Sequence, residues 1–414
     1  MASGIIPAYE NIAEDLGVTL QQTTYLTSIR IAVIGGAPLF WRPLSTRYGR
    51  RPIFIISLIG SNASTSAAQR PRHTRQWWPA APSSPFSSPP PRLSAPPSSS
   101  KPSSSTILPG TKHERAKFMG VWTIMLTIGV PLAPFIFGFV IYNLFLYIFL
   151  GPETRFIRPY KTEQELPSFK DSYFKFRRID PTSITAYEFV SPLRLAAYPC
   201  VVIPAASYAM VFLFASVLST VEVPQLFGEK FHLNAQQIGL QFLSLVIGSI
   251  IGEQVGGRAS DTWMRRGGRK RADGRPAPEF RLWLTYLGYA LVVCGIVVFL
   301  VRIEQAVPLE WNVTPVVGVA IAAAGNQIVT TVLITYAVDC YHEEAGSIGV
   351  FISFVRQIWG FIGPFWFPRM FEDVGIANSA GVAVAMLVVV SVVPTLILQW
   401  RGKIFRQGEM EARI

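Results

Sequence analysis

Leu282-Trp283-Leu284-Thr285-Tyr286-Leu287-Gly288-Tyr289-Ala290-Leu291-Val292-Val293-Cys294-Gly295-Ile296-Val297-Val298-Phe299-Leu300-Val301 runs between Arg281 and Arg302, 20 residues without an ionised side chain. A helix of about 20 such residues crosses a hydrocarbon layer of about 30 Å. Three further intervals repeat the pattern: 27 uncharged residues between Arg194 and Glu222, 28 between Glu310 and Asp339, and 27 between Asp373 and Arg401. They do not alternate in the roughly 10-residue segments of an outer-membrane barrel. Of the 414 residues 50% are hydrophobic and 15% are Asp, Glu, Lys or Arg, against about 25% charged in ordinary soluble domains. That composition argues for an all-α multi-pass membrane protein and against a soluble enzyme. Neither Gly49-Arg50-Arg51 nor Gly267-Gly268-Arg269-Lys270 follows a strand or has the spacing of a phosphate loop.

Working outward, spans are expected near 195–220, 233–256, 282–301, 314–337, 345–370 and 380–400, six in all. The link from Arg258 to Arg281 carries eight basic residues against Asp261, Asp273 and Glu279. The alternate links hold mainly acids: Glu222 and Glu229 with Lys230, Glu304 and Glu310 with Arg302, and Glu372 with Asp373. The positive-inside bias therefore predicts that the basic link and the tail with Arg401, Lys403 and Arg406 are cytoplasmic. The formal charge of +12 is spread in this way beside apolar runs, so no nucleic-acid partner is expected. Asn312-Val313-Thr314 is an acceptor sequon on the outer side, crowded against the start of a span. Cys200, Cys294 and Cys340 fit no ligand spacing and no disulfide framework; neither metal nor cofactor is expected. The first residues lack the basic and apolar regions of a cleavable leader.

Several polar residues fall inside these spans. Arg356 and Gln357, and Asn326 and Gln327, occupy mid-span positions and need partners or a wet cavity there. Arg356 has two readings, a substrate or ion path and a structural partner for a carboxylate or for helix-end carbonyls. Gly248, Gly252 and Gly256 recur at every fourth position, which allows close helix approach. Glu253 beside them reads as a proton-coupled gate residue or as a fixed acceptor. Pro204, like Pro131 and Pro134, interrupts an apolar helix, as is frequent in transporters.

Pro43-Leu44-Ser45-Thr46-Arg47-Tyr48-Gly49-Arg50-Arg51-Pro52 resembles the loop between the second and third helices of major facilitator superfamily transporters, in the form of the fungal drug:proton antiporters. Gly257-Arg258-Ala259-Ser260-Asp261, followed by the basic run and Pro278-Glu279-Phe280-Arg281-Leu282, is similar to its degenerate second copy. His113-Glu114-Arg115 resembles the cytoplasmic loop before the fifth helix, and Gly129-Val130-Pro131-Leu132-Ala133-Pro134 with Gly138 resembles the antiporter signature within that helix. The resemblance implies two bundles, with Arg47, Gly49, Arg50, Arg51 and Asp261 in a cytoplasmic gate that holds them together in the outward-facing state. It also implies that helices one, four, seven and ten line the central cavity, which makes Ser207, Tyr208, Asn326 and Gln327 candidates for its wall. Glu253 and Arg356 are added as candidates for the substrate or ion path. The chain departs from the family pattern at Thr46, where Asp is usual, and at Arg42, where Gly is usual. Ala133 and Phe137 stand where glycines normally thin the fifth helix.

Against that architecture the C-terminal bundle is complete and the N-terminal bundle is not. Residues 1–60 hold the outer end of a first helix, a second span near 22–41 with Arg30 inside it, and the start of a third. Residues 71–110 contain 11 Pro and 11 Ser and no acid, a composition that cannot bury enough apolar surface to order itself. Segment 61–110 thus reads as disordered chain in place of helix 4, from a shifted frame or retained intron rather than an authentic insertion. Between Lys117 and Glu153 lie 35 uncharged residues, about 52 Å of helix, too long for one span and too short for two. Segment 111–152 is read as helix 5 joined to the end of helix 6, 153–194 as a central cytoplasmic linker, 195–400 as the six-helix bundle and 401–414 as a cytoplasmic tail. The expected function is secondary transport in the plasma membrane by a monomer. Alternating access would export small organic molecules, coupled to protons. The alternative is a transport-incompetent remnant serving only as a membrane scaffold.

Overall fold

The structure is a computed structural model, and it describes residues 13, 17, 20–49, 52–60, 185–269 and 277–411. Among the described residues all regular structure is helical. Helix α1 is Leu20–Tyr48 and α2 is 52–60. A short helix Ala186–Val190 and a tighter turn Ser191–Ala197 lead into six helices of membrane-crossing length. These are α3 Pro199–Phe231, α4 Gln236–Met264, α5 Pro278–Gln305, α6 Thr314–Cys340, α7 His342–Val374 and α8 Ile376–Arg406.

Glycine decides how closely they pack. A Cβ added to Gly248 or Gly252 of α4 would lie 2.1 Å from the Ala320 carbonyl oxygen or 2.3 Å from that of Ala324, both on α6. On the other side of α6, Gly295 meets the Ala322 nitrogen and Gly318 meets the Phe299 nitrogen of α5, at 2.3 Å and 2.6 Å from their added Cβ atoms. Backbone therefore touches backbone on two faces of α6, the close approach that small residues permit between membrane helices. Accordingly 78% of the apolar window of α6 is buried, against 28% for α8, which makes α6 the centre of the bundle and α8 an outer wall.

α1 runs antiparallel to α7 across the bundle face. Tyr25 stacks on Phe365 with ring centroids 4.8 Å apart, Ile31 touches Gly360, Gly35 abuts Gln357, and Arg42 reaches Ser347. At the opposite end from Arg42, Lys230 donates to the carbonyls of Ile303 (2.8 Å) and Glu304 (2.6 Å), satisfying acceptors left open where α5 ends. Asn234 and Gln237 form a reciprocal capping box at the start of α4, each bond 2.9 Å.

Several expected helix limits shift. α3 continues to Phe231 rather than 220, so Glu222 is not a link residue but is 2% exposed inside the helix. Pro204 leaves α3 continuous, and the widened π turn falls later, at Leu213–Leu218. The segment from Arg42 to Tyr48 is the last part of α1 rather than loop, and Gly257–Asp261 is helical. The final helix runs on to Glu411 instead of ending in a separate tail at 401. A charge or proline in the sequence thus does not by itself mark a helix end: Glu222 and Pro204 are buried inside α3, and Arg401 and Lys403 are exposed on a helix that continues past them. Segments 61–110 and 111–152 lie outside the described residues.

Ser260–Arg269 shares one end of the bundle with Arg406, which pairs with Glu279 at 2.6 Å, while Asn312 lies at the other. Arg269→Cys and Asn312→Cys should therefore react with a membrane-impermeant maleimide from opposite sides of sealed vesicles. Labelling of both from the same side would refute this topology.

Candidate functional site

Glu253 lies at the last α-helical turn of α4 before the π turn Gln254–Ala259. It is 6% exposed, and its Oε2 accepts from Gln327 Nε2 at 3.0 Å and from Thr331 Oγ1 at 2.9 Å. Gln327 and Thr331 are four residues apart, hence on one face of α6, and the glycine contact one residue before Glu253 brings that face within reach. Through these two hydrogen bonds Glu253 joins α4 to α6. Thr331 escaped the sequence reading; its spacing from Gln327 was the available signal. Asn326, next to Gln327, is buried with its Oδ1 unpartnered.

Ser207 and Tyr208 are consecutive on α3, about 100° apart around the helix, and they face different neighbours. Ser207 is turned toward α8: Ser391 Oγ donates to its carbonyl oxygen at 3.1 Å, and its own hydroxyl lies 3.5 Å from Thr395 Oγ1. Of the two candidate wall residues on α3, Ser207 is thus the one on the α8 side. Tyr208 faces α7, where its hydroxyl accepts a 2.8 Å hydrogen bond from Arg356 Nη1. The Arg356 guanidinium carbon also lies 4.6 Å from the Phe212 ring centroid and 5.6 Å from that of Tyr208. Arg356 does point into the bundle, but its acceptor is a phenol rather than a carboxylate or a helix-end carbonyl. Phe212 was missed as well; it follows Tyr208 by one helical turn.

The basic end of the bundle holds a second polar group. Arg281 is 4% exposed; it donates to Ser260 Oγ at 2.8 Å and lies 3.6 Å from Asp261 Oδ1 and 3.3 Å from Asp339 Oδ2. One guanidinium thus ties the ends of α4, α5 and α6. Gly402 of α8 packs on Glu279 and Tyr336 beside it. Of the expected gate residues, Arg47 pairs with Glu188 of the short helix before α3, and Gly49 adopts φ +89°, the left-handed conformation that glycine favours just past a helix end. Arg42 crosses to α7: its Nη2 donates to Ser347 Oγ at 2.7 Å, Ser347 donates to Glu344 Oε2 at 2.8 Å, and Glu344 pairs with Arg194. The contact between α1 and α7 at this end therefore runs through the residue that departs from the family pattern. Arg50, Arg51, Gly129, Pro131, Pro134 and Gly138 lie outside the described residues.

Six long apolar helices around a glycine-lined centre, with a further helix packed across one face and polar groups buried mid-span, define a polytopic membrane protein of the transporter class. The chain belongs to the Major Facilitator Superfamily, whose sequence profile matches residues 102–364. It is similar to an MFS-type transporter of Stereocaulon alpinum, 23% identical over 399 residues that make up 88% of this chain and 68% of that protein. A probable efflux pump of Aspergillus flavus is 20% identical over 98% of this chain and 99% of its own length. A probable drug/proton antiporter of Saccharomyces cerevisiae is 26% identical over 185 residues, 44% of this chain and 35% of that protein. The crystal structure of the human organic anion transporter MFSD10 shares the fold at a TM-score of 0.57 and 15% identity, over 95% of this chain and 89% of that one.

Proposed function

We propose that this chain is a proton-coupled exporter of small organic molecules, acting as a monomer in the plasma membrane by alternating access, with Glu253 as the proton-carrying group. The observation that carries the reading is the setting of Glu253. It is a buried carboxylate bridging α4 and α6, and its two bound donors, Gln327 and Thr331, are neutral. Such a carboxylate takes up or releases a proton without stranding a buried cation, as an ion-paired one would not. Antiporter and efflux-pump names among the relatives support the export reading.

The test is flux in proteoliposomes under an imposed pH gradient, with rhodamine 123, Nile red and fluorescein as cationic, neutral and anionic probes. At least one dye should accumulate against its gradient. Glu253→Gln should lower that accumulation tenfold or more while leaving downhill exchange in place. Uphill transport that survives the substitution would remove Glu253 from the coupling path. A second reading, a folded remnant that inserts but does not cycle, is favoured by the Pro- and Ser-rich composition of 71–110. Correct insertion with no flux of any dye would select it.

A further inference from the structure

We infer that Arg356, with Tyr208 and Phe212, forms a binding site for the carboxylate of a small organic acid. The inference rests on the transporter reading and names its substrate class.

Position comes first. Arg356 lies 12 residues beyond Glu344 in sequence, about 18 Å along α7. It stands where three helices meet: its neighbour Gln357 abuts Gly35 of α1, and Gly360, one turn on, touches Ile31 of α1 and Phe212 and Val217 of α3. That junction separates the one described helix of the N-terminal half that packs here from the C-terminal bundle, the boundary along which a rocking carrier opens.

Charge comes second. Among the described residues no carboxylate pairs with Arg356; its guanidinium meets a phenol and two ring faces. The N-terminal spans have no acid to offer, because no Asp or Glu occurs between Asp15 and Glu114 or between Glu114 and Glu153. Within the C-terminal spans Glu253 is held by Gln327 and Thr331. Glu222 stands ten residues beyond Phe212, about 15 Å further along α3. A cation at this depth without a counter-charge is costly, and an anion arriving with the substrate removes that cost.

Donor geometry comes third. A guanidinium presents five N–H donors in a planar fork matched to carboxylate. Nη1 is committed to Tyr208, and the buried Nε has no acceptor. The Tyr208 hydroxyl accepts from Arg356, which leaves its own proton available to a second oxygen of the bound acid. The rings of Tyr208 and Phe212, 6.3 Å apart at their centroids, hold the guanidinium in place by cation–π attraction and offer apolar surface to the body of the ligand.

The test is equilibrium binding of radiolabelled 1-naphthoate and 1-naphthamide, alike in shape and different in charge, to the full chain in nanodiscs. The acid should bind at least tenfold more tightly than the amide. Arg356→Gln should abolish that preference, and Arg356→Lys should reduce it at least threefold by losing the fork but keeping the charge. Where Arg356→Gln fails to insert, Arg356→Lys and Tyr208→Phe carry the test, each lowering the preference at least threefold. Equal affinities, no naphthoate binding, or a preference unaltered in the variants overturns the site. Binding needs no flux, so the two failures are separable. Loss of pH-driven transport with the preference intact sinks the transporter reading alone. Transport without a charge preference sinks this inference alone.

Discussion

Gly248→Ala and Gly252→Ala should each destabilise the protein by about 1–3 kcal/mol, the usual cost of forcing a methyl group into a filled contact, and lower its unfolding temperature in detergent by several degrees. The added carbon meets main chain in both cases, the carbonyl oxygen of Ala320 at 2.1 Å or of Ala324 at 2.3 Å, rather than a side chain able to turn away. Relief requires α4 and α6 to separate by about 1 Å, which sacrifices dispersion contacts along the whole helix pair. One separation relieves both clashes, so the double variant should cost less than the sum of the single ones. Moving α4 also stretches the 3.0 Å and 2.9 Å bonds from Gln327 and Thr331 to Glu253, and coupling should suffer in the variants that still fold. Gly239→Ala and Gly381→Ala are the controls: neither added carbon has anything within 4 Å, and helical Ala is if anything favoured over Gly. Thermal unfolding followed by size-exclusion chromatography reads all five proteins. A Gly252→Ala protein as stable as its parent would disprove the contact.

Arg281→Met should be the most damaging single change at the basic end, about 3 kcal/mol or more, because it leaves two carboxylates facing each other without their shared cation. The guanidinium is 4% exposed and lies within 3.6 Å of Asp261 and 3.3 Å of Asp339, so solvent screens it little. Replacing the whole group is a different matter. Arg281→Met combined with Asp261→Asn and Asp339→Asn removes all three charges together and should recover most of the lost stability, as hydrophobic or neutral replacements of buried ion groups often do. If the triple variant were no more stable than Arg281→Met alone, the charge cluster would not be what holds α4, α5 and α6 together here.

Periodicity and charge spacing made the C-terminal helices legible. Glu310 and Asp339, and Asp373 and Arg401, bracket apolar stretches that correspond to α6 and α8. The four-residue glycine repeat likewise announced the face on which α4 approaches α6. Helix ends were less legible, since a charged residue in a sequence does not show whether it meets water or a neighbouring helix. Glu222 is buried inside α3, and Arg42 spends its charge on Ser347 of α7 while still within α1. In the candidate site, Arg356 and Glu253 were visible as groups that needed partners, but the partners were not visible. The polarity of Ser207 and Tyr208 marks both as candidates for the wall, but it does not show that one turns to α8 and the other to α7.

By itself, the sequence determined that this is a multi-pass helical membrane protein, that six long helices follow residue 195, and which family pattern its loops carry. These properties depend on the order of side chains along one chain and on the exclusion of charge from hydrocarbon, both of which can be counted residue by residue. Only the tertiary structure decided that Gln327 and Thr331 hold Glu253, that Tyr208 and Phe212 receive Arg356, that Ser207 turns to α8, and that Arg42 ties α1 to α7. Each of these depends on the rotation of one helix against another and on how far it slides along its neighbour. A helical repeat specifies the faces of its own helix but not which face of another helix it meets; that is settled by close packing, here by where glycine lets two backbones touch.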